Sequence, residues 1–495
     1  KRRCIGAKNN MNYWMSLLLT LGCIYPEIIK ADQRNKPFNF LFILVDDLGW
    51  TDLKVSGSSF YDTPNCDELA QSGMRFVNAY AACPVCSPTR ASIMTGRYPT
   101  RTGVTDYIGA SSGEEWARNT HLLPAVYTPR LQLEELTIAE ILKDQGYATF
   151  FAGKWHLGNK GFWPEDQGFE VNKGGHHRGG PYGGNKYFSP YGNPRLEDGP
   201  DGEHLPDRLA FETVQFIEEN KDKPFFAYLS FYSVHTPLIS RKDLEKKYLD
   251  RKKQGGLSPL WGKEHNREVR LVQEHAVYAG MVEAMDMAVG KVLKALRRLK
   301  LDKDTIIFFM SDNGGLSTSE GHPTSNMPLR AGKGWIYEGG IRTPMIVRWP
   351  SITVPGRVSN ALVTSIDFFP TIIELAGSQI EFQLPVDGMS FAAALRGEKY
   401  DRGAIYWHYP HYGNQGSAPS GAIREGDWKL IEWYENGNTE LFNLGEDIGE
   451  KRNLSEVYPE KTKKLATKLA IWRNLTGAKM PSFNQNFDPR KSEGR

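Results

Sequence analysis

The chain of 495 residues is poor in the features that most quickly assign a class. It has 5 cysteines, an odd and sparse number from which no disulfide framework follows. It has almost no charge excess, because 61 basic residues face 58 acidic ones and leave a net charge of +3. A balance so near zero excludes capture of a nucleic acid by bulk electrostatics. Gly (49) and Pro (29) stay below the share, about 25–30%, that marks low-complexity disorder. There is no internal repeat, and no run approaches the ~20 apolar residues of a membrane-spanning helix. The mean hydropathy of −0.48 agrees. What remains is a globular chain able to bury a sizeable core. At roughly 150 residues per domain the length suggests about three domains, but large α/β enzymes often exceed that figure, and we expect one large domain with an appendage. Any anion this chain binds must be met by a local cluster.

One segment has a targeting character. Lys1, Arg2, Arg3 and Lys8 precede the apolar stretch Leu17-Leu18-Leu19-Thr20-Leu21, the layout of a secretory signal. Residues 1–32 are therefore expected to be a leader, and the protein to be periplasmic or secreted. Gly22-Cys23 resembles a lipoprotein box, although Thr20 stands where such a box prefers leucine, and a lipid anchor at Cys23 is a secondary expectation.

Four apolar runs stop at polar chemistry. Asn39 to Val45 ends at Asp46-Asp47, Ala148 to Gly153 at Lys154-Trp155-His156, Pro224 to Tyr232 before His235, and Thr305 to Met310 before Asp312-Asn313. Continuous runs of this kind are strands covered on both faces. Helical patterns lie between them: Thr137 to Gln145, opened by a Thr137/Glu140 capping box, Asp207 to Asn220, and Val269 to Leu299. The alternation predicts an α/β fold with a large, mostly parallel sheet flanked by helices. Ligands of such sheets bind outside the carboxyl ends of the strands, where these four runs deliver Asp, Lys, His and Asn. The glycine-rich stretch from Asn172 to Gly202 reads as a long surface loop near that edge. Near Gly397 the texture changes to short strands, Ala404 to Tyr409, Gly421 to Arg424, Asp427 to Trp433 and Thr439 to Leu444, followed by a helix from Lys461 to Arg473. They predict a small α+β subdomain with an antiparallel sheet. The expected division is a leader at 1–32, a catalytic domain at 33–397 and a C-terminal subdomain at 398–495.

The most informative stretch is Cys86-Ser87-Pro88-Thr89-Arg90, continued to Thr95-Gly96-Arg97. Pro88 suits the first helical position, which would set Cys86 just before a helix N-terminus, a site that favours an anion. Cys83 and Cys86 also have C-x-x-C spacing, so a redox pair is an alternative. The cysteine-phosphatase loop does not match, because Ser92 occupies the position its arginine would need.

C-x-P-x-R followed by T-G-R is the signature of the type I, formylglycine-dependent sulfatases, and the sequence resembles that family from Asp46 to about Asn453. Further matching motifs are Asp46-Asp47, Gly153 to Gly158, Ser311 to Gly315, Lys333 ahead of Glu338 to Pro344, and Asp427 to Leu430. The resemblance implies an alkaline-phosphatase-like sandwich and a sulfuric ester hydrolase in which a maturation enzyme oxidises Cys86 to formylglycine. Asp46, Asp47, Asp312 and Asn313 are hard oxygen donors suited to Ca²⁺, with Mg²⁺ as second choice, and Cys86 as formylglycine would join them. Arg90 and Lys154 would cradle the anion, Asp312 would also accept the nucleophile's proton, His235 with Lys333 would serve the leaving alcohol, and His156 would take the proton of the second geminal hydroxyl. Taken singly, an Asp-Asp after a strand is more often a turn and a histidine there more often structural. Their convergence on one edge gives the catalytic reading its force.

The resemblance extends to bacterial enzymes acting on galactose or N-acetylgalactosamine sulfates, which implies a sulfated glycan, with a 4-O-ester as the expectation, or a small sulfate ester as substrate. His176, His177 and Arg178 in the glycine-rich loop, and His408 and His411 in the patch Trp407 to Tyr412, are expected to line a sugar pocket, aromatic planes and imidazoles being natural partners of sugar faces. Two alternatives stay open: a formylglycine-dependent phosphonate monoester or phosphodiester hydrolase, and a non-catalytic glycan-binding protein.

Overall fold

The first strand shows how the core divides. In β1 (Asn39–Val45) every residue is buried; Phe40, Phe42 and Leu44 belong to one apolar cluster, and Leu41, Ile43 and Val45 to another. Successive side chains of a strand point to opposite faces, so a strand apolar throughout needs a helical layer on each side. The structure is a computed structural model that describes residues 36–181, 186–378 and 385–491. The expected leader, with Cys4 and Cys23, and part of the glycine-rich stretch lie outside the described residues.

β1 sits inside an eight-stranded sheet with β2 (Met74–Tyr80), β3 (Ala148–Gly153), β4 (Val171–Lys173), β5 (Phe225–Ser230), β6 (Thr305–Ser311), β7 (Met345–Arg348) and β8 (Arg357–Thr364). The order is β8-β2-β7-β6-β1-β5-β3-β4, and every neighbouring pair is parallel except the two made by β7. On one face pack α1 (Pro64–Ser72), α4 (Leu205–Glu219) and α5 (Ala276–Arg298). On the other pack α2 (Cys86–Thr95), α3 (Ile138–Asp144) and α6 (Phe368–Leu375). The mostly parallel α/β sandwich expected from the sequence is therefore present. The capping box of α3 is also formed, with Glu140 N donating to Thr137 Oγ1 at 3.2 Å and Thr137 N to Glu140 Oε2 at 2.8 Å. No helix among the described residues is long and apolar enough to cross a membrane.

One helix differs from expectation. Arg267–Arg270 is not helical but pairs with Trp261–Glu264 as a hairpin, and α5 starts only at Ala276. The two-residue connection, with His265 at φ 51°, is the kind of turn that closes a hairpin, and the His275 ring caps α5 by accepting from Tyr278 N at 3.3 Å.

The second sheet is antiparallel, in the order β9 (Ile405–Tyr409), β10 (Ser420–Glu425), β11 (Trp428–Trp433) and β12 (Thr439–Asn443). One face rests on α7 (Pro459–Thr476) through Leu465, Leu469 and Trp472. The other face, with Trp407, Ile431 and Phe442, packs on Tyr80, Trp335 and Tyr337 of the main body. At this seam Lys429 is fully buried and donates to Ile336 O at 2.8 Å, Glu338 Oε1 at 3.0 Å and Glu450 Oε1 at 2.8 Å. Two stretches singled out in the sequence, around Lys429 and around Glu338, thus meet in an ion pair that joins the two sheets. Burial alone would raise the Glu338 carboxyl, but Lys429, Arg342 and Arg424 hold it down at about 2. Burial, opposed by Lys429, pushes Glu450 up to about 7. Removing one partner of such a group leaves an uncompensated buried charge. Lys429→Ala is expected to lower stability by about 3–5 kcal/mol, read as a shift of the urea midpoint at unchanged slope.

Candidate active site

β6, β1, β5 and β3 lie side by side, so the residues that follow their carboxyl ends are brought together. Asp46 and Asp47 follow β1, His235 follows β5, Lys154 and His156 follow β3, and Asp312 and Asn313 follow β6. From the other side comes α2, buried along its whole length. Cys86 itself opens this helix, two residues earlier than Pro88 would suggest, so the Cys86 side chain stands at the positive end of the helix dipole. The loops are held backbone to backbone. Gly314 N donates to Gly340 O at 2.9 Å, and a Cβ on Gly314 would fall 1.8 Å from Gly339 O, so only glycine fits there. Asp47 and His156, at φ 64° and 58°, occupy the left-handed region that non-glycine residues enter rarely, a conformation concentrated at functional sites.

Three carboxylates and three cations interlock. Lys154 Nζ donates to Asp46 Oδ2 at 2.7 Å and Lys333 Nζ to Asp47 Oδ2 at 2.8 Å. Arg90 Nε donates to Asp312 Oδ2 at 2.9 Å, and its Nη2 lies 2.8 Å from the same oxygen and 3.7 Å from Asp46 Oδ1. Arg90 Nη1 is fixed by Lys154 O at 2.7 Å and Ser230 Oγ at 2.8 Å. Burial, opposed by Lys154 and assisted by Asp312 and Asp47, pushes Asp46 well above the usual carboxylate range. Burial acts the same way on Asp47, but Lys333, His235 and Lys154 overcome it and hold that carboxyl low. Burial raises the Cys86 thiol against the opposing pull of Lys154 and Lys333.

Donor atoms of Asp46, Cys86 and Asp312 lie within 4.8 Å of one another, as do those of Asp46, Asp47 and His235. Asp46 Oδ1 and Asn313 Oδ1 are buried without a hydrogen-bond partner, while Asn313 Nδ2 is aligned by donating to Asp47 Oδ1 at 2.7 Å. Buried acceptors left open, in an oxygen-rich set, fit a hard divalent cation.

The two histidines are held by carbonyls. His156 Nε2 lies 2.9 Å from Ile108 O, which requires the hydrogen on Nε2 and leaves the buried Nδ1 as a base without a partner. Burial and Lys154 keep this ring neutral, well below the usual histidine value. His235 Nδ1 lies 2.7 Å from Thr236 O, so Nε2 faces Asp47 Oδ2 at 3.8 Å. Burial and Lys333 outweigh Asp47 and lower His235 to about 3.

Cys86, His156, His235 and Lys333 open on a cavity of about 340 Å³. Tyr107, Gly179, Gly180, Glu320, Asn414 and Gln415 also line it. The expected sugar-contacting residues do not. His176 is fully buried, taken up by Tyr232 OH at 3.1 Å and by Arg178 N, which donates to its Nδ1 at 3.0 Å. His177 and Arg178 directly precede Gly179, which lines the cavity. His408 is buried between Tyr434 OH at 2.8 Å and Lys479 O at 2.9 Å. His411 Nε2 sits 2.9 Å from Thr105 Oγ1, with Nδ1 3.6 Å from Asp106 Oδ2. His408 engages both ring nitrogens, His411 only Nε2, and the C-terminal sheet reaches the cavity through Asn414 and Gln415 in the β9–β10 loop. Glycines 413 and 416 around that pair are the only trace of this in the sequence. Cys83 and Cys86 are both free thiols, with no disulfide between them.

Residues 38–378 match the family model described as Sulfatase. The chain belongs to the sulfatase family, and it is a sulfuric ester hydrolase. Residues 331–475 of this sulfatase also match the model described as N-sulphoglucosamine sulphohydrolase, C-terminal. A sulfatase of Formosa agariphila is 34% identical over 511 residues, covering 89% of this chain and 88% of its own. The N-acetylgalactosamine-6-sulfatase of Mus musculus is 31% identical over 472 residues, covering 89% and 80%. The solved structure of Ps i-CgsB in complex with k-i-k-neocarrahexaose superposes with a TM-score of 0.72 at 29% identity, covering 88% of this chain and 93% of that one.

The Gly179 contact tests how tightly the site is set. A Cβ there would lie 2.5 Å from His156 Cε1 and 2.9 Å from its Nδ1. Gly179→Ala is expected to displace the ring and lower the rate of sulfate release by about 100-fold while the melting temperature changes little, since displacements of about 1 Å at reacting groups cost that much.

Proposed function

We propose that this sulfatase hydrolyses sulfate esters of saccharides, with Cys86 in its formylglycine form as the nucleophile and a divalent cation, Ca²⁺ or Mg²⁺, held by Asp46, Asp47, Asp312 and Asn313. The observation that carries the proposal is the pair of buried, unpartnered acceptors Asp46 Oδ1 and Asn313 Oδ1 in the ring of acidic groups beside Cys86. The cation, when bound, supplies a Lewis acid for a sulfate oxygen. The hydrated aldehyde, when formed, supplies an oxygen nucleophile. The partners of the protein are accordingly a sulfated glycan and a maturation enzyme that oxidises Cys86. A leader and a periplasmic or secreted location remain part of the proposal.

The chain's own groups do the rest. Arg90 and Lys154 orient Asp312 and Asp46, and Lys333 orients Asp47 and holds its carboxyl low. A dication held among these groups would add the positive charge that attracts a sulfate ester. The carbonyl of Thr236 aims His235 Nε2 inward, and this atom delivers a proton to the departing alcohol. His235 needs a compensating charge to hold that proton beside Lys333, and the bound anionic ester provides it. His156 Nδ1, fixed as an acceptor by Ile108 O, takes a proton in the return step. Over the cycle one water is consumed, and an alcohol and hydrogen sulfate are released.

In matured enzyme the Cys86 peptide is expected to be lighter by the thiol-to-carbonyl difference, and Cys86→Ala to lower sulfate release by on the order of 10⁶-fold, the scale of losing a nucleophile. An active preparation containing only the thiol would sink the mechanism. The saccharide reading is tested on 4-O- and 6-O-sulfated N-acetylgalactosamine, and faster turnover of an aryl phosphonate than of the matching aryl sulfate would favour the phosphonate hydrolase instead.

A further inference from the structure

The cavity contains one carboxylate that the proposed reaction does not use. Glu320 lines it with His235, Lys333, Asn414 and Gln415. Its Oε1 accepts from Asn414 Nδ2 at 2.6 Å and Gln415 Nε2 at 3.1 Å. Its Oε2 makes one long contact, 3.4 Å, to Thr236 Oγ1, the hydroxyl next to His235. No Lys, Arg or His among the described residues lies within ion-pair distance of it. The two amides that orient Glu320 are themselves anchored from the main body. Arg267 Nη2 donates to Asn414 O at 2.9 Å, and Trp335 Nε1 to Gln415 O at 3.0 Å.

A negative charge is out of place in a pocket built to admit an anion unless it meets a different part of the substrate. Glu320 stands beside His235 and Lys333, the pair assigned to the departing alcohol, and on that side a carboxylate can do two things. It accepts hydrogen bonds from hydroxyls, and at short range it repels any second anionic group. With Oε1 occupied by the amides, Oε2 is the acceptor left for a ligand.

We propose that Glu320, oriented by Asn414 and Gln415, selects the alcohol: it binds a free hydroxyl next to the sulfated carbon and rejects esters carrying a second sulfate or carboxylate there. This rests on the saccharide reading and narrows the substrate class to sugar units bearing a single sulfate with a free neighbouring hydroxyl. Glu320 is a specificity residue that takes no part in bond making.

The test uses matured full-length enzyme with sulfated N-acetylgalactosamine, its disulfated counterpart and 4-nitrophenyl sulfate, comparing kcat/KM. The wild type is expected to favour the monosulfated sugar over the disulfated one, and Glu320→Gln to shrink that preference at least tenfold, mainly through KM. Asn414→Ala, at an exposed residue, is expected to shift it the same way and carries the test if Glu320→Gln does not fold. A preference unchanged within twofold in a folded variant overturns the assignment of Glu320 while leaving the saccharide reading intact. A wild type that cleaves 4-nitrophenyl sulfate but neither sugar removes the saccharide reading, and this inference with it.

Discussion

The fold is organised around the cost of placing Asp46, Asp47 and Asp312 out of water at one sheet edge. An isolated buried carboxylate is too costly to persist ionised, so each needs a cation at hydrogen-bond distance. Lys154, Lys333 and Arg90 come from three different parts of the chain to meet that need. This explains why α2, which carries Arg90, is buried along its full length and why β3 ends directly in Lys154. It also explains why the loops after β1 and β6 are tied to each other, with Leu48 N donating to Ser311 Oγ at 2.9 Å and Asp47 N to Asp312 Oδ1 at 3.2 Å. The same network that makes the edge foldable makes it reactive, because its cations fix the carboxylate oxygens while Asp46 Oδ1 and Asn313 Oδ1 stay open.

A second buried charge cluster does a different job. Lys429 uses its donors on Ile336 O, Glu338 and Glu450, and Glu338 in turn accepts from Tyr80 OH at 2.6 Å. Apolar contact alone would let the second sheet slide over Trp335 and Tyr337, since dispersion has little direction. Ion pairs of fixed geometry set the register. That register matters at the site, because the β9–β10 loop can present Asn414 and Gln415 to the cavity only if the sheet bearing it is fixed on the main body.

Legibility in the sequence followed the physics of each part. The central strands were legible because burial on both faces forces continuous apolar runs, and their carboxyl ends were legible because the apolar run stops there at charged and polar residues. The proposed catalytic groups were legible through Cys86 to Arg90 and the motifs in order behind it. The hairpin at Trp261–Arg270 was not, because four-residue strands are too short for period-two alternation to stand out from the helix that follows. The surroundings of the expected sugar-contacting set were hidden for a related reason. His176, His408 and His411 have the composition of a sugar pocket, yet a histidine buried in a core looks the same in sequence as one facing a ligand. Glu320 carries no local signal and Asn414 only its flanking glycines, since the two meet through the packing of the second sheet on the main body.

Chemistry and selection are therefore supported by different parts of the molecule. The groups around Cys86 sit directly on strand ends and on a buried helix, where backbone pairing leaves them little freedom, and the reaction requires that rigidity. The groups at the mouth of the cavity, Gly179, Gly180, Glu320, Asn414 and Gln415, sit on loops that reach it from separate directions. Loops tolerate substitution without unsettling the sheet. A change of substrate can thus be made at residues such as Glu320 and Asn414 without touching the three ion pairs, whereas a change at Arg90 or Lys154 would leave a buried carboxylate uncompensated and endanger folding and catalysis together. Variation among sulfate esters is accordingly expected at the cavity mouth, while the residues proposed to meet the sulfate group are constrained by the electrostatics of the fold itself.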